Sequence, residues 1–300
     1  MIENFKSGFV NIFGAPNAGK STLLNLLLGE RLVITSHKVQ TTRHRILGIL
    51  TEPGYQIVFS DTPGIIEPKY KLHQKMMLQV KNALEDADVA ILMHDITQPV
   101  EDFEAIYNTL KLTVPIILLL NKTDVLKDKD SVEGLVKTYK ERFGSGEHGQ
   151  PWEVLAISAR KQTNTEQILP LILKHLPIAP AFYPDDSISD RSERFFVGEM
   201  IREQIYALYE EEIPYHAAVL VQSFEEKTTL NVIKADIIVT RETQKMILLG
   251  KGGSMIKQLG INSRLAIEDW LKKKVHLELF VKVRPKWRDN DNYLREYGYV

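Results

Sequence analysis

Eight consecutive residues, Gly14, Ala15, Pro16, Asn17, Ala18, Gly19, Lys20 and Ser21, fit the pattern GxxxxGKS. The chemistry of that spacing is phosphate capture. Its glycines let the backbone curl tightly around an anion, N–H groups and a helix start face the charge, Lys20 reaches β and γ groups, and Ser21 can ligate Mg2+. A second group, Asp61, Thr62, Pro63 and Gly64, offers a carboxylate that can hold Mg2+ directly or through water, and a glycine N–H that can meet a γ-phosphate and register its loss. Ile65 follows it. A third group, Asn121, Lys122, Thr123 and Asp124, addresses the base: guanine presents adjacent N1–H and N2–H2 donors that one carboxylate, Asp124, can accept as a pair. Adenine presents no such pair. Asn121 can tie this loop to residues 14–21, Lys122 can lie over the base, and Ser158, Ala159 and Arg160 can offer backbone N–H to guanine O6. Each short motif alone fits an ordinary turn or cap; their joint occurrence in this order does not.

For these loops to converge, each must leave the same edge of one sheet. Apolar runs at 8–13, 46–51, 55–60, 90–93, 114–120 and 154–157 read as strands, and helix-length segments at 20–28, 71–84, 103–110, 132–143 and 165–173 alternate with them. Pro53-Gly54 makes 46–51 and 55–60 a hairpin. Continuously apolar strands are buried on both faces, so the expected fold over 1–176 is an α/β domain with a mostly parallel sheet, helices on both faces, and one antiparallel edge. Ligands then sit at the strand C-termini. The run 177–194, with three prolines and an acidic, aperiodic stretch, reads as a linker.

Beyond it, 195–300 reads as helix 195–209, strands 215–224 and 230–240, helices 243–249 and 254–271, and strand 275–284. Gly250, Lys251, Gly252 and Gly253 stand between the two later helices. The order αββααβ around a GxxG loop resembles a type II KH domain, an α+β module in which the glycine loop clamps nucleic-acid phosphates and a neighbouring apolar groove receives bases. Lys251 and Lys257 add charge there. Residues 241–300 hold 13 Lys and Arg against 7 Asp and Glu, while the whole chain has a net charge of −1. Segregated positive charge points to a polyanion partner, RNA or an anionic lipid surface. Lys272 to Lys274, Lys282, Arg284, Lys286 and Arg288 extend the basic surface, and Trp287, Tyr293, Tyr297 and Tyr299 are candidates for stacking on bases, whereas Trp270 has the spacing of a core residue.

Composition bounds the rest. The chain has 300 residues, 44% hydrophobic and 26% charged, which excludes disordered and collagen-like classes. There is no cysteine, hence no disulfide or thiolate chemistry. No apolar run approaches the roughly 20 residues of a membrane span, and the first residues carry no secretory h-region, so a cytoplasmic address is expected. The eight histidines form no ligand spacing, and no transition metal is assigned.

With GxxxxGKS, DTPG, NKxD and Ser-Ala followed by the glycine-loop module, nearly the whole chain resembles the Era family of bacterial ribosome-assembly GTPases, within the translation-factor-related GTPases. That resemblance implies GTP and GDP as ligands, hydrolysis of GTP, and a monomer that binds small-subunit (16S) ribosomal RNA near its 3′ end, acts in assembly of the small subunit and makes peripheral contact with the inner face of the cell membrane. It also implies that Thr42, within the run Gln40 to Arg45, joins Ser21 and Asp61 on Mg2+ in the GTP state, with Thr41 as the neighbouring alternative. Lys20, Thr42 and Gly64 are then the groups at the reacting phosphate. Ras-type enzymes place a water-orienting glutamine where this chain has Ile65, which leaves backbone and threonine, a K+ ion held partly by Asn17, or a partner's group to serve hydrolysis. Two other readings use the same residues: a P-loop phosphotransferase working on ATP, and an RNA-binding adaptor whose nucleotide is structural.

Overall fold

A computed structural model describes residues 4–36, 38–126, 129–143 and 152–299. They form two compact units, one built from 1–33, 42–67 and 76–190 and the other from 34–41, 68–75 and 191–300. The first is a six-stranded sheet in the order β2-β3-β1-β4-β5-β6, with β1 Lys6–Gly14, β2 Ile46–Glu52, β3 Tyr55–Asp61, β4 Val89–Asp95, β5 Ile116–Asn121 and β6 Trp152–Ala156. Only β2 runs antiparallel, as the Pro-Gly hairpin requires.

Parallel pairing follows from burial on both faces. Every residue of β4 and β5 is buried, and β1 is buried from Val10 through Phe13 with Ile12 and Phe13 fully enclosed. One layer of helices, α3 Val100–Leu110 and α4 Lys129–Phe143, closes a core in which Phe103, Tyr139 and Phe143 pack on Leu92, Leu118 and Leu120. At about 1.5–3 kcal/mol for each large apolar side chain removed from water, this layer anchors the two helices on that face of the sheet. Helices α1 Lys20–Leu28, α2 Lys71–Glu85 and α5 Ile168–His175 complete the crossovers. Register then does the positioning: Ile12 lies opposite Asp61, Gly14 opposite Met93, and Asp95 opposite Asn121, so the ends of four strands reach one edge together.

The proline-bearing run read as a linker is ordered over most of its length. Ser7 N–H donates to Pro177 C=O, Ala179 N–H to Phe5 C=O, and the Gln56 side chain accepts from the Phe182 and Tyr183 amides while donating to Tyr183 C=O. Ile49 N–H donates to Ile188 C=O, and Ser189 Oγ donates to Leu47 C=O. These bonds occupy β2, the exposed edge strand, which would otherwise offer unpaired donors and acceptors to another chain.

In the second unit, α6 Glu193–Leu208 and α7 Ile213–His216 precede a three-stranded sheet, β7 Ala218–Glu226, β8 Leu230–Val239 and β9 Lys274–Val283. Between β8 and β9 come α8 Glu242–Leu249 and α9 Ser254–Leu271, and α10 Asp291–Glu296 ends the unit. Strands β7 and β8 pair antiparallel, β8 and β9 parallel, the topology of the type II KH module. The strand expected from 215 begins instead at Ala218. Pro214 sits in the first turn of a short helix, Ile213–His216, where its missing N–H costs no intrahelical bond and its fixed φ favours the helical turn through His216.

Lys38, Gln40 and Thr41 bond to α6 and its C-terminal end. Lys38 Nζ donates to the carbonyls of Tyr206 (2.8 Å) and Tyr209 (2.6 Å), satisfying the C-terminal end of that helix, and Tyr206 Oη donates to Gln40 C=O at 2.8 Å. Arg202, buried and ion-paired with Glu199, donates to Thr41 C=O.

Three of the aromatic residues offered for base stacking are core instead. Trp287 is fully buried, donates its indole N–H to His216 C=O and packs on Tyr297 and Tyr299, which are also buried. Trp270 packs against Phe196 as its helical spacing predicts.

Candidate functional site

The loop 14–21 leaves the centre of the sheet at Gly14 and feeds α1 at Lys20. Gly19 caps that helix at φ 107°, and a Cβ there would lie 2.2 Å from the Asn121 amide nitrogen, so only glycine fits. The Lys20 ammonium folds back into the loop and donates to the carbonyls of Gly14 (3.1 Å) and Ala15 (2.9 Å). Burial pushes its pKa down to about 8, partly offset by the Asp61 carboxylate. An incoming anion would restore its ordinary basicity.

Asp61, at the end of β3, is fully buried. Its Oδ2 accepts from Ser21 Oγ at 2.7 Å and from Thr42 Oγ1 at 3.0 Å, and the two hydroxyls are 2.9 Å apart. Its other oxygen, Oδ1, is buried with no hydrogen-bond partner. Burial raises the carboxyl's pKa, against the lowering pull of Lys20, Ser21 and Thr42. Two hydroxyls and a carboxylate with a bare oxygen form a hard, oxygen-only donor set of the kind that holds Mg2+ beside phosphate. Of the two adjacent threonines, Thr42 supplies its hydroxyl to this cluster, while Thr41 Oγ1 donates to Lys38 C=O. Thr62 Oγ1 donates to Ile12 C=O and Ile65 N–H to Gly14 C=O, which fasten the loop carrying Pro63 and Gly64 beside residues 14–21.

The base-side motifs meet through Asn121. Its Nδ2 donates to Ala18 C=O at 2.8 Å and its Oδ1 accepts from Ala159 N–H at 2.9 Å, joining three loops with one side chain. Thr123 N–H donates to Ile157 C=O. Ser158 Oγ donates to Asp124 Oδ1 at 2.6 Å and accepts from Lys161 N–H, which orients the Asp124 carboxylate. Lys122 stands in the left-handed region at φ 70°, and its ammonium meets Asp95 Oδ2 at 2.5 Å. Asp95 and Thr97, absent from the sequence reading, belong to this constellation. The signal for them is position: Asp95 ends a fully buried parallel strand at the ligand edge.

In the second unit, 250–253 forms a tight turn between α8 and α9. Gly252 has φ 60° with nothing within 4 Å of where a Cβ would stand, so the turn leaves its backbone open to close approach. Lys251 and Lys257 are exposed beside it, and Met246 (66% exposed) and Ile247 (49%) present apolar surface on the adjoining helix. Part of the wider basic surface is already paired: Lys282 with Asp236, Lys272 with Asp269 and Lys274 with Glu268.

A family model described as a 50S ribosome-binding GTPase matches residues 9–122, and a KH domain model matches 212–288. GTPase Era of Geobacter metallireducens is 42% identical over 306 residues, covering 100% of this chain and 100% of its own. A chloroplastic GTPase ERA-like protein of Oryza sativa subsp. japonica is 41% identical over 302 residues, covering 99% of this chain and 70% of its own length. Among solved structures, Era in complex with MgGDPNP and nucleotides 1506–1542 of 16S ribosomal RNA superposes with a TM-score of 0.92 at 39% identity, covering 99% of each chain. An Aquifex aeolicus Era variant bound to GDP and AlF4− gives the same TM-score and identity over 98% of this chain and 99% of that one.

Proposed function

The chain belongs to the Era family of GTPases, and from that premise we propose that it cycles between GTP and GDP to control the binding of its C-terminal module to small-subunit ribosomal RNA during assembly of that subunit. The observation that carries the reading is the cluster of Ser21, Thr42 and Asp61 with its unpartnered buried oxygen. Ser21 and Thr42 would hold Mg2+ with Asp61 bracing their hydroxyls, and the bound ion would supply charge neutralisation at the phosphates. The chain's own residues do the rest. Amides of 14–21 and Lys20 bind the phosphates, the Gly64 N–H meets the γ-phosphate, and Asp124 accepts the paired guanine donors while Lys122 lies over the ring. Ala159 and Arg160 amides face O6.

Calorimetry tests the reading: GTP and GDP bind in the presence of Mg2+, and ATP does not. Uptake of ATP in place of GTP would overturn it.

Hydrolysis proceeds without a side chain that orients water at position 65, since Ile65 offers no hydrogen bond. Backbone, the Thr42 carbonyl or hydroxyl, a K+ ion at Asn17, or a group from the bound ribosomal partner supplies the orientation. Replacing Ile65 with Ala is therefore expected to change single-turnover hydrolysis by less than about threefold. A loss as large as that from replacing Lys20 would show that Ile65 shapes the attacking water's site.

The basic second unit meets RNA phosphates at 250–253, with Lys251 and Lys257 adding salt-sensitive affinity. The module's peripheral approach to anionic membrane is a lesser consequence of the same charge. With an oligonucleotide from the 3′ end of 16S ribosomal RNA, affinity is expected to be at least tenfold tighter with a GTP analogue than with GDP. Gly252→Asp, which puts a carboxylate where the phosphate passes, is expected to cost a further tenfold or more in anisotropy titrations. Equal affinity in both nucleotide states would make the nucleotide merely structural.

A further inference from the structure

The turn that leaves β4 does more than connect it to α3. Asp95 Oδ2 receives the Lys122 ammonium at 2.5 Å, while Asp95 Oδ1 accepts from Thr97 N–H at 3.0 Å and Thr97 Oγ1 at 2.6 Å. Ile96 N–H donates to Asn121 C=O, and Gln98 N–H closes the turn on Asp95 C=O. Asp95 is 9% exposed and Lys122 37%. Burial disfavours the charged form of Asp95, but the hydrogen bonds from Lys122 and Thr97 outweigh it and hold the carboxyl below the usual carboxylate range. A buried carboxylate with all this engagement is held in one orientation, and its Oδ2 faces the Lys122 ammonium.

We propose that Asp95 and Thr97 are positioning residues for guanine recognition: they fix Lys122 over the base and keep its ammonium off Asp124. The inference rests on the guanine site described above. A lysine side chain is rich in rotamers, and fixing it before the ligand arrives spares that ordering cost on binding. Charge placement is the second element. Lys122 is two residues from Asp124, whose carboxylate must accept from guanine rather than from an ammonium, and Asp95 gives the ammonium another partner. Ser158 Oγ donates to Asp124 Oδ1 and fixes the aim of that carboxylate.

The test is GDP dissociation, followed with a fluorescent GDP analogue, in Asp95→Asn, Lys122→Met and the double variant. Asp95→Asn keeps shape and removes charge; it is expected to release GDP about tenfold faster and to raise KM for GTP about as much, with kcat changed far less. In the Lys122→Met background the same substitution is expected to add less than twofold, because the bracket then has nothing to hold. The preference for GDP over IDP, which lacks the 2-amino group, is expected to narrow in Asp95→Asn, since the released ammonium competes for Asp124. Thr97→Val, which removes only the hydroxyl donor, is expected to accelerate release two- to threefold and serves if Asp95→Asn fails to fold. Unchanged release in both variants, or a full Asp95→Asn effect in the absence of Lys122, would overturn the proposal. Failure of the unsubstituted protein to bind GDP at all would instead strike the guanine reading.

Discussion

Asp124→Asn is expected to weaken GTP binding by a hundredfold to a thousandfold and to create binding of xanthosine triphosphate. In the proposed site guanine directs two donors at this position, N1–H and the 2-amino group, and a carboxylate accepts both with charge-assisted hydrogen bonds. An asparagine in the same orientation, braced by Ser158 Oγ as Asp124 is at 2.6 Å, turns one of those acceptors into a donor. The result is one lost bond and one donor facing a donor in a partly desolvated pocket. Together these cost roughly 3–4 kcal/mol, or a hundredfold to a thousandfold in affinity. Xanthine carries a carbonyl where guanine has the amino group, so the amide of asparagine complements it. Sites built to hydrogen-bond a ligand reject its mismatched analogue by large factors for this reason. Competition titrations of both proteins with GTP, xanthosine triphosphate and ATP decide the matter. GTP affinity within threefold of the parent would remove Asp124 from base recognition, and retained ATP use would restore the phosphotransferase reading.

What the sequence makes legible here is whatever depends on spacing along one chain. The loop 14–21 could be placed because an apolar run precedes it and a leucine-rich helix follows, and β1 and α1 lie where that reading put them. The convergence of Asp61, Asn121 and Ser158 followed from a single rule, that loops leave parallel strands at the same edge, and the observed register obeys it. What could not be read was which side chains meet across that edge. Thr41 and Thr42 are indistinguishable as letters, and only the hydrogen bond from Thr42 to Asp61 separates them. Asp95 escapes the sequence pattern because the purely apolar run ends at Met93, two residues short of the strand's end, so a carboxylate at a strand terminus has the look of loop. Trp287, Tyr297 and Tyr299 fall in a short, charged, aperiodic tail that suggests base stacking; tertiary packing, with Trp287 wholly enclosed, decides their role and leaves no local pattern. The run 177–190 lacks period for a related reason, since it pairs with an edge strand through backbone groups and with Gln56 rather than through an apolar face.

The second large effect belongs to Lys20, and it carries a pH signature. The Lys20 ammonium is buried, donates to two loop carbonyls, and has its pKa lowered by burial to about 8, with Asp61 pulling the other way. Bound phosphates stabilise the protonated form, so its pKa in the complex lies above that of the free site and binding takes up a proton wherever the free lysine is neutral. The sign follows: affinity is flat below pH 8, then falls as pH rises through 8, with a limiting slope of tenfold per unit. From pH 7 to pH 9 a single such group weakens GTP binding by about tenfold, and the loss ends only above the pKa of the complex. Lys20→Met is expected to abolish this dependence and to lower single-turnover hydrolysis by at least a thousandfold, about 4 kcal/mol, because in the proposed site the lysine faces the charge that develops on the transferring phosphoryl group. Calorimetry across pH 7 to 9 in buffers of different ionisation enthalpy would show proton uptake by the parent protein and none by the variant. A parent affinity that holds constant through pH 9 would mean that Lys20 stays protonated without nucleotide, held so by Asp61, and that the buried pair rather than the ligand sets its charge.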